Sequence, residues 1–228
     1  MPTITMIQPK GGTGKSTTTL LLATEFAEVA TVTVIDTDPN APILAWQERG
    51  GTAPNLDVVH HKDEMTLIEA IEDAAARSVF VIVDTEGTAN YGAAKAAAVA
   101  DLVVIPSQGS TLDLDNAAKA IRIVRNEERS GRKIPHAILF NRVSPAIRTK
   151  GMKAAEEQVS KHGIDTFRTA LVEREAFRAM FAMGQPLSAL TEKDVSGVTK
   201  ARANSKALAA EAVERIKVGQ GAFEKRVA

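Results

Sequence analysis

A chain of 228 residues, 44% hydrophobic and 25% charged, has the composition of an ordinary globular protein and is long enough for one sizeable domain. It has no cysteine, which excludes disulfides, thiolate metal sites, iron–sulfur clusters and cysteine nucleophiles. The 28 basic and 28 acidic residues cancel, but unevenly: residues 1–114 carry 6 Lys+Arg against 15 Asp+Glu, and the excess reverses in residues 115–228. That split suits a face that meets a polyanion, unless the charges mix in three dimensions. No apolar run approaches the ~20 residues of a membrane-spanning helix. The start MPTITMIQPK lacks the basic-then-apolar pattern of a secretory signal, so the expected compartment is the cytoplasm.

Along the chain, short apolar runs alternate with longer helical patterns. The first strand is expected over Thr3–Ile7 and the first helix over Lys15–Val29. Strand Thr31–Ile35, helix Pro42–Arg49, strand Leu56–Val59 and helix Met65–Ala76 follow. Next come strand Val79–Val83, helix Asn90–Ala100, strand Leu102–Ile105 and helix Leu112–Arg129. Strand Ile134–Phe140, helix Thr149–Lys161 and a weak seventh strand near Ile164–Phe167 precede two last helices, Glu173–Met183 and Val198–Lys217. Runs such as VFVIVD and LVVIP are β-branched without alternation, as in strands buried on both faces of a parallel sheet. The alternation therefore predicts an α/β fold: a mostly parallel twisted sheet of about seven strands with helices on both faces. One domain is expected over residues 1–218, with 219–228 a frayed tail.

The strongest motif is Pro9-Lys10-Gly11-Gly12-Thr13-Gly14-Lys15-Ser16-Thr17, between the first strand and the first helix. Glycines let the loop curl so that its N–H groups point inward, and the helix N-terminus adds positive potential, which makes an anion cradle. Lys15 is placed for the β- and γ-phosphates and the Ser16 hydroxyl for Mg²⁺. The strict pattern has Gly where Pro9 stands, and an extra lysine occupies position 10. The pattern argues against a dinucleotide site, because Gly12-x-Gly14 runs on to Thr17 with Lys15-Ser16 between, which is nucleoside-triphosphate chemistry.

The form K-G-G-x-G-K-S resembles the deviant Walker A box of the ParA/MinD family of ATPases. Three further stretches agree in order: Asp36-Thr37-Asp38-Pro39-Asn40, similar to a D-x-D-P-Q box; Val83-Asp84-Thr85-Glu86-Gly87, at the Walker B position; and Ile105-Pro106 with Leu112-Asp113-Leu114. The resemblance covers residues 1–145 by motif and the remainder by layout. With no helix-turn-helix segment ahead of the loop, it is nearest to the short, ParF-like plasmid-partition type. Asp63-Glu64-Met65 and Glu173–Met180 are similar to VirC-type accessories of conjugative DNA transfer.

The resemblance implies an ATPase with ATP and Mg²⁺ as ligands. The P-loop residues Gly11, Gly12, Thr13, Gly14, Lys15, Ser16 and Thr17 would hold the phosphates. Ser16 would bind the metal directly and Asp84 through its water shell, while Asp38 would orient the attacking water. Lys10 would cross to the phosphates of a second copy, making ATP part of a homodimer interface. Asp36 is either a loop anchor or a metal-shell carboxylate, and Glu86 departs from the small or proline residues usual there. Asn141, closing the sixth strand, either pairs with the adenine edge, as its equivalents do in relatives, or closes a turn.

Residues 119–153 hold ten Lys+Arg and two acidic residues. Lys119, Arg122, Arg125 and Arg129 recur at helical spacing, and Lys200, Arg202 and Lys206 form a second set. Such stripes suit sequence-independent, salt-sensitive DNA binding, or are a solvated helix face. The resemblance implies a dimer that binds DNA non-specifically, sits on the nucleoid, and works with a small DNA-binding adaptor of ParB or centromere-binding type. A membrane-cycling, MinD-type role needs a bulky amphipathic C-terminus. Here only Phe223 and Val227 stand among small residues, so no stable membrane binding is expected.

Overall fold

The structure is a computed structural model and describes residues 1–88, 91–144 and 150–227. The β-branched runs form six strands: β1 (Thr3–Met6), β2 (Val32–Asp36), β3 (Leu56–His60), β4 (Phe80–Asp84), β5 (Leu102–Ser107) and β6 (His136–Phe140). All their pairings are parallel, in the order β3-β2-β4-β1-β5-β6. Parallel neighbours need long crossovers, and helices supply them: α1 (Lys15–Ala27), α2 (Pro42–Glu48), α3 (Leu67–Arg77), α4 (Tyr91–Val99), α5 (Thr111–Glu127) and α6 (Lys150–Lys161). Two more, α7 (Glu175–Met183) and α8 (Val198–Val227), return across the sheet. Asn90 and Thr149, expected to open α4 and α6, lie outside the described residues. The last helix continues to Val227, through the stretch expected to fray.

The sheet's period of two sorts side chains between two cores. Ile4, Met6, Ile82, Val104 and Leu139 join Leu21 of α1, Met180 of α7 and Leu208 of α8 on one face. Val103, Ile105, Ile138 and Phe140 join Ala97 of α4, Ile121 of α5 and Val159 of α6 on the other. Polar strand residues are satisfied inside: Thr5 Oγ1 donates to the Ala96 carbonyl, and the Thr33 and Ser78 hydroxyls are 2.7 Å apart. The weak seventh strand makes a single parallel bridge, Ile138 with Thr166. It is interrupted there because the next two N–H groups, of Arg168 and Thr169, turn to the buried Glu211 carboxylate on α8 at 2.8 Å each, and pairing resumes at Leu171, whose N–H donates to the Phe140 carbonyl at 2.9 Å.

Candidate functional site

β1, β2 and β4 end side by side, and their C-terminal edge carries the loops of interest, the usual position for a ligand in such sheets. In register, Asp36 lies opposite Asp84 and Met6 beside Asp84. The loop after β1 curls through two left-handed glycines, Gly12 (φ 75°) and Gly14 (φ 97°), the latter capping α1. At Gly14 space matters as well as dihedral, since a Cβ would lie 2.1 Å from Asn141 Nδ2. The neighbouring loop braces the turn, with Gln108 Nε2 donating to the Gly12 carbonyl at 2.8 Å.

Lys15 opens α1 and is only 6% exposed. Burial lowers its pKa, opposed by the charges of Asp84, Asp38 and Glu86, which places those carboxylates around it. Its ammonium donates to the Gln8 carbonyl at 3.4 Å. Asp84 is fully buried, and burial pushes its carboxyl up to about 7. A hydrogen bond from Ser16 opposes that rise, the charge of Asp36 adds to it, and Lys15 and Thr19 oppose it. Asp84 Oδ1 accepts from Thr19 Oγ1 at 3.1 Å, whereas the buried Oδ2 has no partner among the described residues. A hydroxyl and a carboxylate with one unspent oxygen, next to a phosphate cradle, are hard donors that fit Mg²⁺ and its water shell.

Asp36 is wholly buried and anchors a loop. Its Oδ1 accepts from the Asp38 N–H at 3.2 Å, and its Oδ2 from those of Ile43 and Leu44 at 2.9 and 3.4 Å. Even so, burial raises its pKa, with those three bonds opposing. The anchored turn presents Asp38 beside Lys15, and the Asn40 backbone and side-chain amides both donate to Asp38 Oδ1 at 2.9 Å. Ala41 then takes a left-handed φ of 44° to start α2. Glu86 lies near Lys15 and accepts from the Thr88 hydroxyl at 3.1 Å.

Lys10 has a different partner from Lys15. Its ammonium, about one-third exposed, pairs within the chain with Asp113 Oδ1 at 2.7 Å. Asp113 belongs to the Ser110–Asp113 capping box that opens α5. Burial would raise the Asp113 pKa, but bonds from Lys10 and Ser110 outweigh it and hold the carboxyl below its usual range. Asn141 is on the cavity side of the loop, 4% exposed, with its amide bonded to the loop itself. Beside it a cavity of about 240 Å³ is lined by Gly14, Thr17, Arg174, Phe177 and Phe181.

On α5, Lys119, Arg122 and Arg125 are exposed, as is Arg129 in the 3-10 turn (Glu128–Ser130) that follows it. Lys119 donates to Asn116 Oδ1, and no carboxylate pairs with the three arginines among the described residues. Arg132 and Lys133, in contrast, are spent on Asp101 and Glu128. The second set is less free: Arg202 and Lys206 lie close enough to Glu25 of α1 to lower its pKa, although burial raises it overall. Lys200 is exposed. Arg148 lies outside the described residues.

Sequence reading gave Asp113 only as part of the Leu112-Asp113-Leu114 stretch, without its bond to Lys10, and missed Gln8 and Trp46. Asp113 had a visible signal in the capping pattern Ser110-x-x-Asp113. Trp46 had none: its indole donates to the Met180 carbonyl at 3.1 Å, which ties α2 to α7.

Among known proteins, the VirC1 protein family matches residues 1–222. A protein named ParA from Rhizobium radiobacter is 34% identical over 195 residues, which cover 85% of this chain and 88% of that protein. VirC1 of Rhizobium rhizogenes is 30% identical over 191 residues, 81% of this chain and 82% of its own. Among solved structures, MinD of Aquifex aeolicus superposes with a TM-score of 0.72 at 17% identity, covering 91% of this chain and 95% of that one. A Cyanothece McdA–ATP complex gives 0.71 at 17% identity, covering 92% and 96%. These two likenesses show the fold. No helix among the described residues is long and apolar enough to cross a membrane. With its two-lysine phosphate loop, the carboxylate pair behind it and a family match over nearly its whole length, the chain belongs to the ParA/MinD/VirC1 family of P-loop ATPases.

Proposed function

We propose that this chain is a ParA-type ATPase that forms an ATP-dependent sandwich dimer, binds DNA non-specifically, and hydrolyses ATP to ADP and phosphate to position a plasmid, chromosome or other cargo. The observation that carries the reading is the pair of lysines on one phosphate loop: Lys15 buried within the cradle, Lys10 about one-third exposed and held by Asp113. Hydrolysis in one subunit needs only the first; a second, part-exposed cation on the same loop suits phosphates across an interface.

Lys15 and the loop N–H groups hold the phosphates. Ser16 would hold Mg²⁺ directly and Asp84 through its water shell, and the ion would supply charge neutralisation at the phosphates. Asp38, fixed by Asp36 and Asn40, orients the attacking water and accepts its hydrogen bond. Lys10 exchanges Asp113 for the phosphates opposite, which ties assembly to nucleotide state. The unpaired arginine stripe along α5 and the turn after it supplies phosphate contacts, doubled in a dimer. A small DNA-binding adaptor is the partner expected to stimulate turnover, on the nucleoid in the cytoplasm.

A second reading, an accessory ATPase of conjugative DNA transfer, is favoured by the VirC1 family match over residues 1–222. One experiment separates the two. With a non-hydrolysable ATP analogue, the partition reading expects equal shifts of unrelated DNA fragments, a steep loss with salt, and weakening when Arg122, Arg125 and Arg129 become Glu. Strong preference for one DNA sequence supports the transfer reading. DNA binding that is equal with ADP sinks the first.

A further inference from the structure

The first strand, expected to reach Ile7, ends at Met6, and two prolines account for it. Beside β5, with Met6 opposite Val104, the Ile7 N–H donates to the Val104 carbonyl at 3.0 Å. In a parallel ladder the next donors in turn are the N–H of residue 106, toward the Ile7 carbonyl, and that of residue 9, toward the carbonyl of residue 106. Both positions are proline, which has no N–H, so the ladder cannot continue. Pro9 stands where the strict phosphate-loop pattern has a glycine, and with it a backbone donor.

Gln8 supplies the missing bond. It is wholly buried, and its Nε2 donates to the Pro106 carbonyl at 2.9 Å, the acceptor that an N–H at position 9 would otherwise serve. Its Oε1 is shielded and has no partner among the described residues, a cost that an apolar side chain of the same length would avoid. The amide is therefore there for its donor. The backbone carbonyl of the same residue receives both lysines of the loop: the Lys10 N–H donates to it at 2.7 Å and the Lys15 ammonium at 3.4 Å. The bond to β5 thus fixes, through one residue, the carbonyl against which Lys15 rests and from which the phosphate loop departs.

We propose that Gln8 is a positioning residue for the phosphate loop: its side-chain amide stands in for the backbone donor that Pro9 lacks, and so holds the loop and the Lys15 ammonium in register with β5. This rests on the nucleotide-binding reading above. Gln8 touches no phosphate in this role; it acts through Lys15 and the loop backbone.

The test is a double-mutant cycle read by calorimetry with ATP, on wild type, Gln8→Met, Pro9→Ala and the double variant Gln8→Met/Pro9→Ala. Methionine keeps the length of the side chain and loses the donor, and alanine at position 9 restores the backbone N–H. Gln8→Met should weaken ATP binding about tenfold in the chain with Pro9. In the chain with Pro9→Ala the same change should weaken it less than about threefold. Thermal melting without nucleotide checks that each variant is folded; if Gln8→Met does not fold beside Pro9, Gln8→Asn, which draws the amide back from the Pro106 carbonyl, replaces it in the same cycle. Equal losses in both backgrounds, or no loss in either, overturn the assignment. So does a lowered melting temperature with unchanged ATP affinity, the result expected of an amide that only stabilises the fold. Wild type that does not bind ATP overturns the nucleotide reading itself, a distinguishable failure.

Discussion

Replacing Asp84 by Asn should stabilise the metal-free protein, although it removes the carboxylate on which metal binding depends. The physical reason is the burial of that group. Its pKa rises from 3.8 to about 7, chiefly by desolvation, with Asp36 adding to the rise and Ser16, Lys15 and Thr19 opposing it. At roughly 1.4 kcal/mol per unit of pKa, the ionised side chain destabilises the folded state by about 4 kcal/mol relative to the unfolded chain. The sign follows from linkage. A carboxyl whose folded pKa is raised keeps its proton to higher pH than in the unfolded chain, so unfolding releases a proton between the two values. Stability therefore falls as pH rises through that window and levels off above the folded pKa. Asparagine resembles the protonated form at every pH. In urea unfolding with EDTA, the advantage of Asp84→Asn over wild type should grow by about 1.4 kcal/mol per pH unit from pH 5 to 7 and then flatten. Saturating Mg²⁺ with ADP should reverse the ranking, because only the carboxylate can serve the metal. A gap that does not vary with pH, or a mutant less stable than wild type at pH 8 without metal, would refute the reasoning.

Lys15→Ala should abolish ATP binding in calorimetry while the protein stays folded, because the γ-phosphate loses its principal cation. Asp38→Ala should bind ATP and Mg²⁺ but turn over slowly, and so accumulate as a dimer in ATP by light scattering; a wild-type hydrolysis rate would remove Asp38 from the water-positioning role. Gly14→Ala should lose about 1–3 kcal/mol in urea unfolding and bind ATP poorly, since the residue is left-handed and its Cβ would meet Asn141 Nδ2. Trp46→Phe should cost about 1 kcal/mol, read from the urea midpoint, through loss of the indole bond to the Met180 carbonyl.

What could be read from the chain alone was local. The β-branched runs of β1, β2, β4 and β5 are contiguous residues whose burial on both faces leaves no alternation, so they declare a parallel sheet without reference to anything distant. The phosphate loop is equally local. Its glycines, its two lysines and its place between β1 and α1 are consecutive in sequence, and Gly12 and Gly14 take left-handed conformations that their residue type anticipates. Tertiary structure decided the pairings between remote segments. Lys10 meets Asp113 only because β1 and β5 are neighbours in the sheet, which brings the loops after them together. The seventh strand is interrupted after one bridge because Glu211, on a helix far along the chain, captures the next two N–H groups. Asp36 anchors its own turn, and Asn141 braces the phosphate loop rather than presenting a free amide. Residue type determines which bonds a side chain is able to make, and packing determines which partner arrives. That is why a motif could mark the site while the bonds of Asp36, Lys10 and Asn141 had to wait for the fold.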